Sequence, residues 1–236
     1  MGLARAGKRR GVPDTNGDDA IHHIIQQRTK TMLLRFPNVL GFSVENNIQP
    51  RIHFFRNEVG CSVEQLGKIL WRLPEALGYS MENNLRAKID YFKILFDNDE
   101  DDVKNFITRN PNIFSNNLQR NIMPKIHYFT HEIGFTQKDL RTFLVERPQV
   151  LSLSLDNNIV PKMSYYLGDQ VGLTKQELIN FIVDKPGQLS FNLETRIKPR
   201  IQILKDHGIH LRDAPVTIIS RSDKSFQKWV EENSMN

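Results

Sequence analysis

Residues 148–186 read PQVLSLSLDNNIVPKMSYYLGDQVGLTKQELINFIVDKP, and this stretch decides the fold because it recurs along the chain. Proline marks the period. Pro37, Pro74, Pro111, Pro148 and Pro186 are separated by 37, 37, 37 and 38 residues, and thirteen residues after each stand Pro50, Ala87, Pro124, Pro161 and Pro199. Nine of the eleven prolines thereby fall into two columns of one repeat. Other columns agree: Leu40, Leu77, Phe114, Leu151 and Leu189; the helix-capping Ser43, Ser80, Asn117, Ser154 and Asn192; and the apolar Ile48, Leu85, Ile122, Ile159 and Ile197, followed by Ile52, Ile89, Ile126, Met163 and Ile201.

One unit converts into two helices and a turn. Ser43 caps a first helix running to about Asn57. On it Ile48, Ile52, Phe55 and Val59 form one apolar stripe. Pro50 lies inside that helix and must either begin its regular part or kink it, since proline lacks an N–H and clashes with the preceding turn. Gly60 ends the helix, as Gly134, Gly172 and Gly208 do later. A second helix opens with capping-box spacing at Ser62/Gln65 and Thr174/Glu177, and with plain caps at Asp99 and Thr136. Its buried face is Leu66, Ile69 and Leu70, matched by Val103, Phe106 and Ile107, by Leu140, Phe143 and Leu144, and by Leu178, Phe181 and Ile182. The next proline stops it, and the residues that follow read as a 3₁₀ turn.

Such a unit cannot bury its faces alone, but stacked copies can. The expected fold is therefore all-α, a helical-repeat solenoid of about five helix–helix–3₁₀ units starting near 37, 74, 111, 148 and 186. Residues 18–36 supply a half unit, and 209–236 form a C-terminal cap with a helix from Ser222 to Val230. Residues 1–17 read as a basic, disordered tail or the remnant of a targeting leader. The repeat array 18–236 is expected to be monomeric.

Composition excludes several function classes. Charged residues are 25% and hydrophobic ones 39%, and no apolar run reaches membrane-spanning length. Cys61 is the single cysteine, so neither an internal disulfide nor a cysteine-rich zinc site is expected, and a reducing, intracellular setting is favoured. The formal charge of +5 is mostly terminal: without Arg5, Lys8, Arg9 and Arg10 the body carries +1. Placement of charge therefore matters more than its sum. P-loop, G-x-G-x-x-G, G-x-S-x-G and H-E-x-x-H signatures are absent, and no cofactor or enzymatic activity is expected. His53 and His127 share a column a unit-pair apart without accompanying ligands, and His22-His23 lacks zinc spacing, so no metal site is expected.

Two basic columns are the candidate nucleic-acid contacts. The residue after the inner proline position is basic in every unit: Arg51, Lys88, Lys125, Lys162 and Arg200. Stacked helices lie roughly 8–10 Å apart, against about 3.4 Å per nucleotide along a strand. A straight row would meet a phosphate about every three nucleotides, which positions a protein without reading sequence. The other reading is that each stem lies along the core edge with its charge in water. The second column, Arg72, Arg109, Arg147 and Lys185, ends the second helices, where the helix dipole also favours a cation. The aromatic pairs Phe54-Phe55, Tyr91-Phe92, Tyr128-Phe129 and Tyr165-Tyr166 have core spacing, with base stacking as the alternative. The pairs Asn46-Asn47, Asn83-Asn84 and Asn157-Asn158 read as polar surface in a first helical turn, and the acidic run Asp97 to Asp102 as a solvated turn or a site for a basic partner.

These residues resemble the mitochondrial transcription termination factor (mTERF) family. The closest copy of its pattern is the quoted stretch; PNVLGFSVENNIQPRIHFF (37–55) and PNIFSNNLQRNIMPKIHYF (111–129) repeat its front half, and SDKSFQKWV (222–230) resembles its ending. Ala87 in place of proline and the glycine-free LFDNDEDD turn depart from the pattern and put the geometry of the second unit in question. The resemblance implies a curved superhelix in a mitochondrion or plastid that contacts double-stranded DNA or structured RNA through a positively charged inner surface. It implies a role in transcription termination, a related step of gene expression, or ribosome biogenesis. A regulator that acts by occupying nucleic acid is the leading expectation. An rRNA-bound component or assembly factor of the organellar ribosome, and a protein–protein scaffold, are the rivals.

Overall fold

The computed structural model describes residues 26–234, and the basic segment 1–17 lies outside them. Among the described residues there are eleven helices and no strand, as the repeat predicts. Helix α1 spans 26–35. Four units follow, each with a first and a second helix: α2 (44–58) and α3 (Val63–Arg72), α4 (81–95) and α5 (Glu100–Arg109), α6 (118–133) and α7 (Gln137–Glu146), α8 (155–167) and α9 (Lys175–Asp184). A fifth first helix, α10 (193–206), leads through two short turns to α11 (Asp223–Asn233). The five-residue 3₁₀ turns Pro37–Gly41, Pro74–Gly78, Pro111–Ser115, Pro148–Ser152 and Pro186–Ser190 each begin on the period-marking proline, whose missing N–H costs nothing at a helix start.

Capping chemistry sets every first helix. Ser43, Ser80, Asn117, Ser154 and Asn192 each accept a hydrogen bond from the backbone N–H three residues on. The second helices open on Ser62, Asp99, Thr136 and Thr174; Thr136 forms a full capping box with Asp139, where the sequence predicts a plain cap. The inner proline neither breaks nor sharply ends the helix. It falls in the first turn of the α-helical part, after a widened turn in which the N–H of Ile48, Ile122, Ile159 and Ile197 reaches back five residues to the capping residue's carbonyl. In the second unit Leu85 N–H makes the same bond to Ser80 although Ala87 replaces the proline, so the widened turn does not depend on the proline ring. The other departure is also absorbed. Where α2, α6 and α10 are followed by left-handed Gly60, Gly134 and Gly208, and α8 closes on extended Gly168 with left-handed Gly172 four residues further on, the chain at Asp97 and Asn98 adopts φ of 55° and 59°. Asn and Asp tolerate that region better than other non-glycine residues.

Three layers result. Second helices pack in sequence, α3 on α5 on α7 on α9; first helices pack on their own second helices; and the 3₁₀ turns line up along one side. A continuous core threads the layers through Phe55, Phe92, Phe129, Tyr166 and Leu204, with the turn residues Leu77, Phe114, Leu151 and Leu189 buried beside them. Phe114 shows how units are joined: it sits in the third turn, yet its ring meets Phe55 of α2 edge-on at 5.7 Å. Each turn thus closes over helices of earlier units. Leu40, in the first turn, has no such helices beneath it among the described residues and is 75% exposed.

Tyr166 occupies the core column held by phenylalanine in three other units, and burial raises its hydroxyl pKa. That hydroxyl has no hydrogen-bond partner. An unsatisfied buried hydroxyl costs about 1–3 kcal/mol. Tyr166→Phe is therefore expected to stabilise the chain by about 1 kcal/mol or more, read as a raised urea midpoint at unchanged slope.

Candidate nucleic-acid interface

The inner basic column is not a surface. Arg51, Lys88, Lys125, Lys162 and Arg200 are between 2% and 9% exposed. The expectation that this column meets phosphate is corrected, and so is the alternative that its charges lie in water. Each cation points at the turn that follows it. The Nζ of Lys88, Lys125 and Lys162 donates to the carbonyls of Phe114, Leu151 and Leu189 at 2.5–2.7 Å, and to Asn84, Asn121 and Asn158 four residues back at 2.6–2.9 Å. Arg51 donates to Tyr79 O from Nε and Nη2 and to Asn47 O from Nη1. Arg200 donates to the carbonyls of Ile218, Ile219 and Arg221, pairs with Asp223, and lies over the Phe226 ring. Desolvation pulls the lysines below their ordinary range, Lys88 to about 8, with Lys125 and Lys162 shifted the same way.

The chemical logic follows from the turn. Its carbonyls face a packed interior without a sheet or helix partner, and a buried acceptor needs a donor. A long stem carrying several N–H groups spans the gap between stacked units. The second asparagine of each pair accepts from the cation of its own helix, Asn84 and Asn158 through Oδ1 and Asn47 through its backbone carbonyl, and Asn84 also donates to Phe114 O. The first members, Asn46, Asn83 and Asn157, are exposed as polar surface.

The second basic column is exposed. Arg72, Arg109, Arg147 and Lys185 stand at the ends of successive second helices. Their reach is longer than the dipole of their own helix. Arg72 donates to Arg109 O, and Arg109 donates to Val145 O and Glu146 O, so each caps carbonyls at the end of the next helix. Arg35 does the same for Trp71 O and Arg72 O. Periodicity missed Arg35, although it stands 37 residues before Arg72 and extends the column. Arg147 passes so close over Gly187 that a Cβ there would lie 2.6 Å from Nη2. Arg109, Arg147 and Lys185 border one cleft of about 360 Å³, together with Glu146, Asp184 and Phe191.

Other candidates take structural places. Phe55, Phe92, Phe129 and Tyr166 are core, while Tyr91, Tyr128 and Tyr165 are half-buried at its border, where burial raises their hydroxyl pKa. Within the acidic run, Asp99 and Asp102 hold Arg141 of α7, and Asp97 accepts from Gln137, so those carboxylates join unit two to unit three. The backbone N–H of Asp102 and the guanidinium of Arg141 keep the Asp99 carboxyl below its usual range. Cys61 is buried, and its thiol is pushed up to about 11, which suits packing rather than nucleophilic chemistry. No cluster of three or more His, Cys, Asp or Glu suited to a metal occurs among the described residues, and none of their helices is long and apolar enough to cross a membrane.

No curated protein matches the chain. The mTERF family model matches residues 24–227, which takes in all the turns, both basic columns and part of α11. Repeat, fold and family match agree, and the chain belongs to the mTERF family.

Proposed function

We propose that this chain is a non-catalytic, nucleic-acid-binding regulator of organellar gene expression, acting in the mitochondrion by occupying double-stranded DNA or structured RNA. Membership of the mTERF family supports the class of function. The observation that carries the site is the exposed row Arg72, Arg109, Arg147 and Lys185, one cation per unit, bordering a shared cleft at its C-terminal end. A guanidinium has five N–H donors, and Arg72 and Arg109 commit only one or two of them to carbonyls. The rest face solvent and can meet phosphate oxygens. One contact per unit follows a backbone without reading bases. Binding of this kind needs affinity and slow release, and no reacting group.

The test is Arg147→Glu with Lys185→Glu, since neither side chain donates a hydrogen bond to the carbonyl ladder among the described residues. Gel shifts at several salt concentrations, with duplex DNA, structured RNA and single strands, should show weakened binding. The slope of log K against log salt should fall by about 2, or about 1 for each phosphate that no longer meets a cation. An unchanged slope removes this row from the interface. Absence of binding at low salt by the parent chain shifts the reading to a protein–protein scaffold, and co-sedimentation with ribosomal particles shifts it to a ribosome-bound factor.

A further inference from the structure

Helix α6 carries His127 and His131, both exposed and one turn apart on the same face. Their rings are stacked, with centroids 4.2 Å apart and planes within 9°. Between them sits Thr130, whose Oγ1 is 2.9 Å from Ile126 O, 3.2 Å from His127 O and 2.8 Å from His131 Nδ1. A hydroxyl has one hydrogen, and the carbonyls of the preceding turn can only accept it. With that hydrogen committed to the backbone, the threonine oxygen accepts from Nδ1–H of His131. The neutral ring then keeps its lone pair on Nε2, on the side away from Thr130.

That is the arrangement of a metal-ligating imidazole, in which the second nitrogen's hydrogen bond fixes tautomer and orientation. The geometry points to a two-nitrogen chelate on α6, formed by His127 and His131 and selective for a late divalent transition ion of the Zn(II) or Ni(II) class, whose affinity for imidazole exceeds that of magnesium or calcium. Metal–nitrogen bonds of about 2.0–2.1 Å require the two ligating atoms roughly 3 Å apart. The two ring planes are nearly parallel, so one ion cannot lie in both as they stand. The His127 ring, which makes no side-chain hydrogen bond among the described residues, must turn about χ1 and χ2 until its Nε2 converges with that of His131, a rotation open to it at an exposed helix face. Two ligands do not make a closed structural site, so water completes the coordination and stays exchangeable. The pair is peculiar to unit three. At the two positions the other units carry His53 and Asn57, Asp90 and Ile94, Ser164 and Gly168, and Gln202 and Asp206. His53 is engaged by Asn57 at 3.1 Å and does not face a second imidazole. The inference is independent of the nucleic-acid reading.

Isothermal titration with zinc chloride and with nickel chloride tests it, using the full chain with His22→Ala and His23→Ala as parent so that the adjacent pair near the N-terminus contributes nothing. One ion should bind per chain, and each ion should raise the melting temperature. His127→Ala and His131→Ala should each weaken binding by at least about tenfold, because one imidazole loses the effective concentration of its neighbour. Both residues are exposed, so circular dichroism should show unchanged folding. Thr130→Val should weaken binding roughly tenfold, while Thr130→Ser retains it. Binding that survives His131→Ala, or that is absent from the parent, overturns the chelate. Equal affinity in the valine and serine variants overturns the orienting role of the hydroxyl.

Discussion

Lys125→Glu should unfold the array. The substitution removes the donor to Leu151 O and Asn121 Oδ1 and places a carboxylate against both acceptors, at a position 2% exposed. Lys125→Ala isolates the first part of that loss. Leaving a buried acceptor unpaired costs about 1–3 kcal/mol. With two acceptors stranded, we expect about 2–5 kcal/mol from urea denaturation followed by circular dichroism. The charge reversal adds an uncompensated buried charge, about 3–5 kcal/mol more, and the sum reaches into the range of about 5–15 kcal/mol that is a domain's whole stability. Lys125→Arg is the control. Units one and five already use Arg51 and Arg200 in this role, so arginine should retain most of the stability. The salt slope of nucleic-acid binding should be unchanged in that variant. A Lys125→Ala protein as stable as the parent would show that the ammonium is not holding the following turn. Had the column faced phosphate, reversing Lys125 and Lys162 would have read out in the salt slope; the buried geometry makes loss of folding the expected readout.

Leu151→Ala should cost about 2–5 kcal/mol, the range for truncating a fully enclosed leucine. Leu151 lies in the 3₁₀ turn Pro148–Ser152, is 0% exposed, and belongs to the continuous core. The matching change at Leu40, Leu40→Ala, should be close to neutral, because that side chain lies open at the N-terminal end of the stack. The contrast between two chemically identical substitutions in one repeat column isolates the contribution of stacking. Equal effects at both positions would mean that burial is not supplied by earlier units.

The fold was legible because its determinants are local and repeated. Proline columns, capping residues such as Ser43 and Ser80, and apolar stripes such as Leu140, Phe143 and Leu144 each act within a few residues, and repetition multiplies the signal. The widened first turn was not legible, since the unit with Ala87 forms it as readily as those with proline. Nor was the left-handed pair Asp97–Asn98, which does in two residues what one glycine does elsewhere. At the candidate site, periodicity correctly placed the basic residues beside the apolar stripe but could not say where their heads go. The acceptors lie 26–28 residues ahead for Arg51, Lys88, Lys125 and Lys162, in the next turn. A signal was present: Asn84, Asn121 and Asn158 stand four residues before Lys88, Lys125 and Lys162, a donor–acceptor pair on one helix face. The exposed row was identified, but its first member, Arg35, lay before the first proline and escaped the count.

The five buried cations of the inner column, Arg51, Lys88, Lys125, Lys162 and Arg200, all point one way along the chain, from a first helix to a turn made later. During synthesis the newest unit therefore emerges from the ribosome holding an ammonium or guanidinium whose acceptors do not yet exist. Hydration keeps that charge in place, and the leading edge stays loose until the next turn arrives to enclose it. Ordering is thus handed forward unit by unit, and Arg200 ends the sequence by engaging Ile218, Ile219 and Asp223 close to the C-terminus. A chain cut before Ile218 would leave the Arg200 guanidinium without these acceptors, and its last turn would stay unclosed.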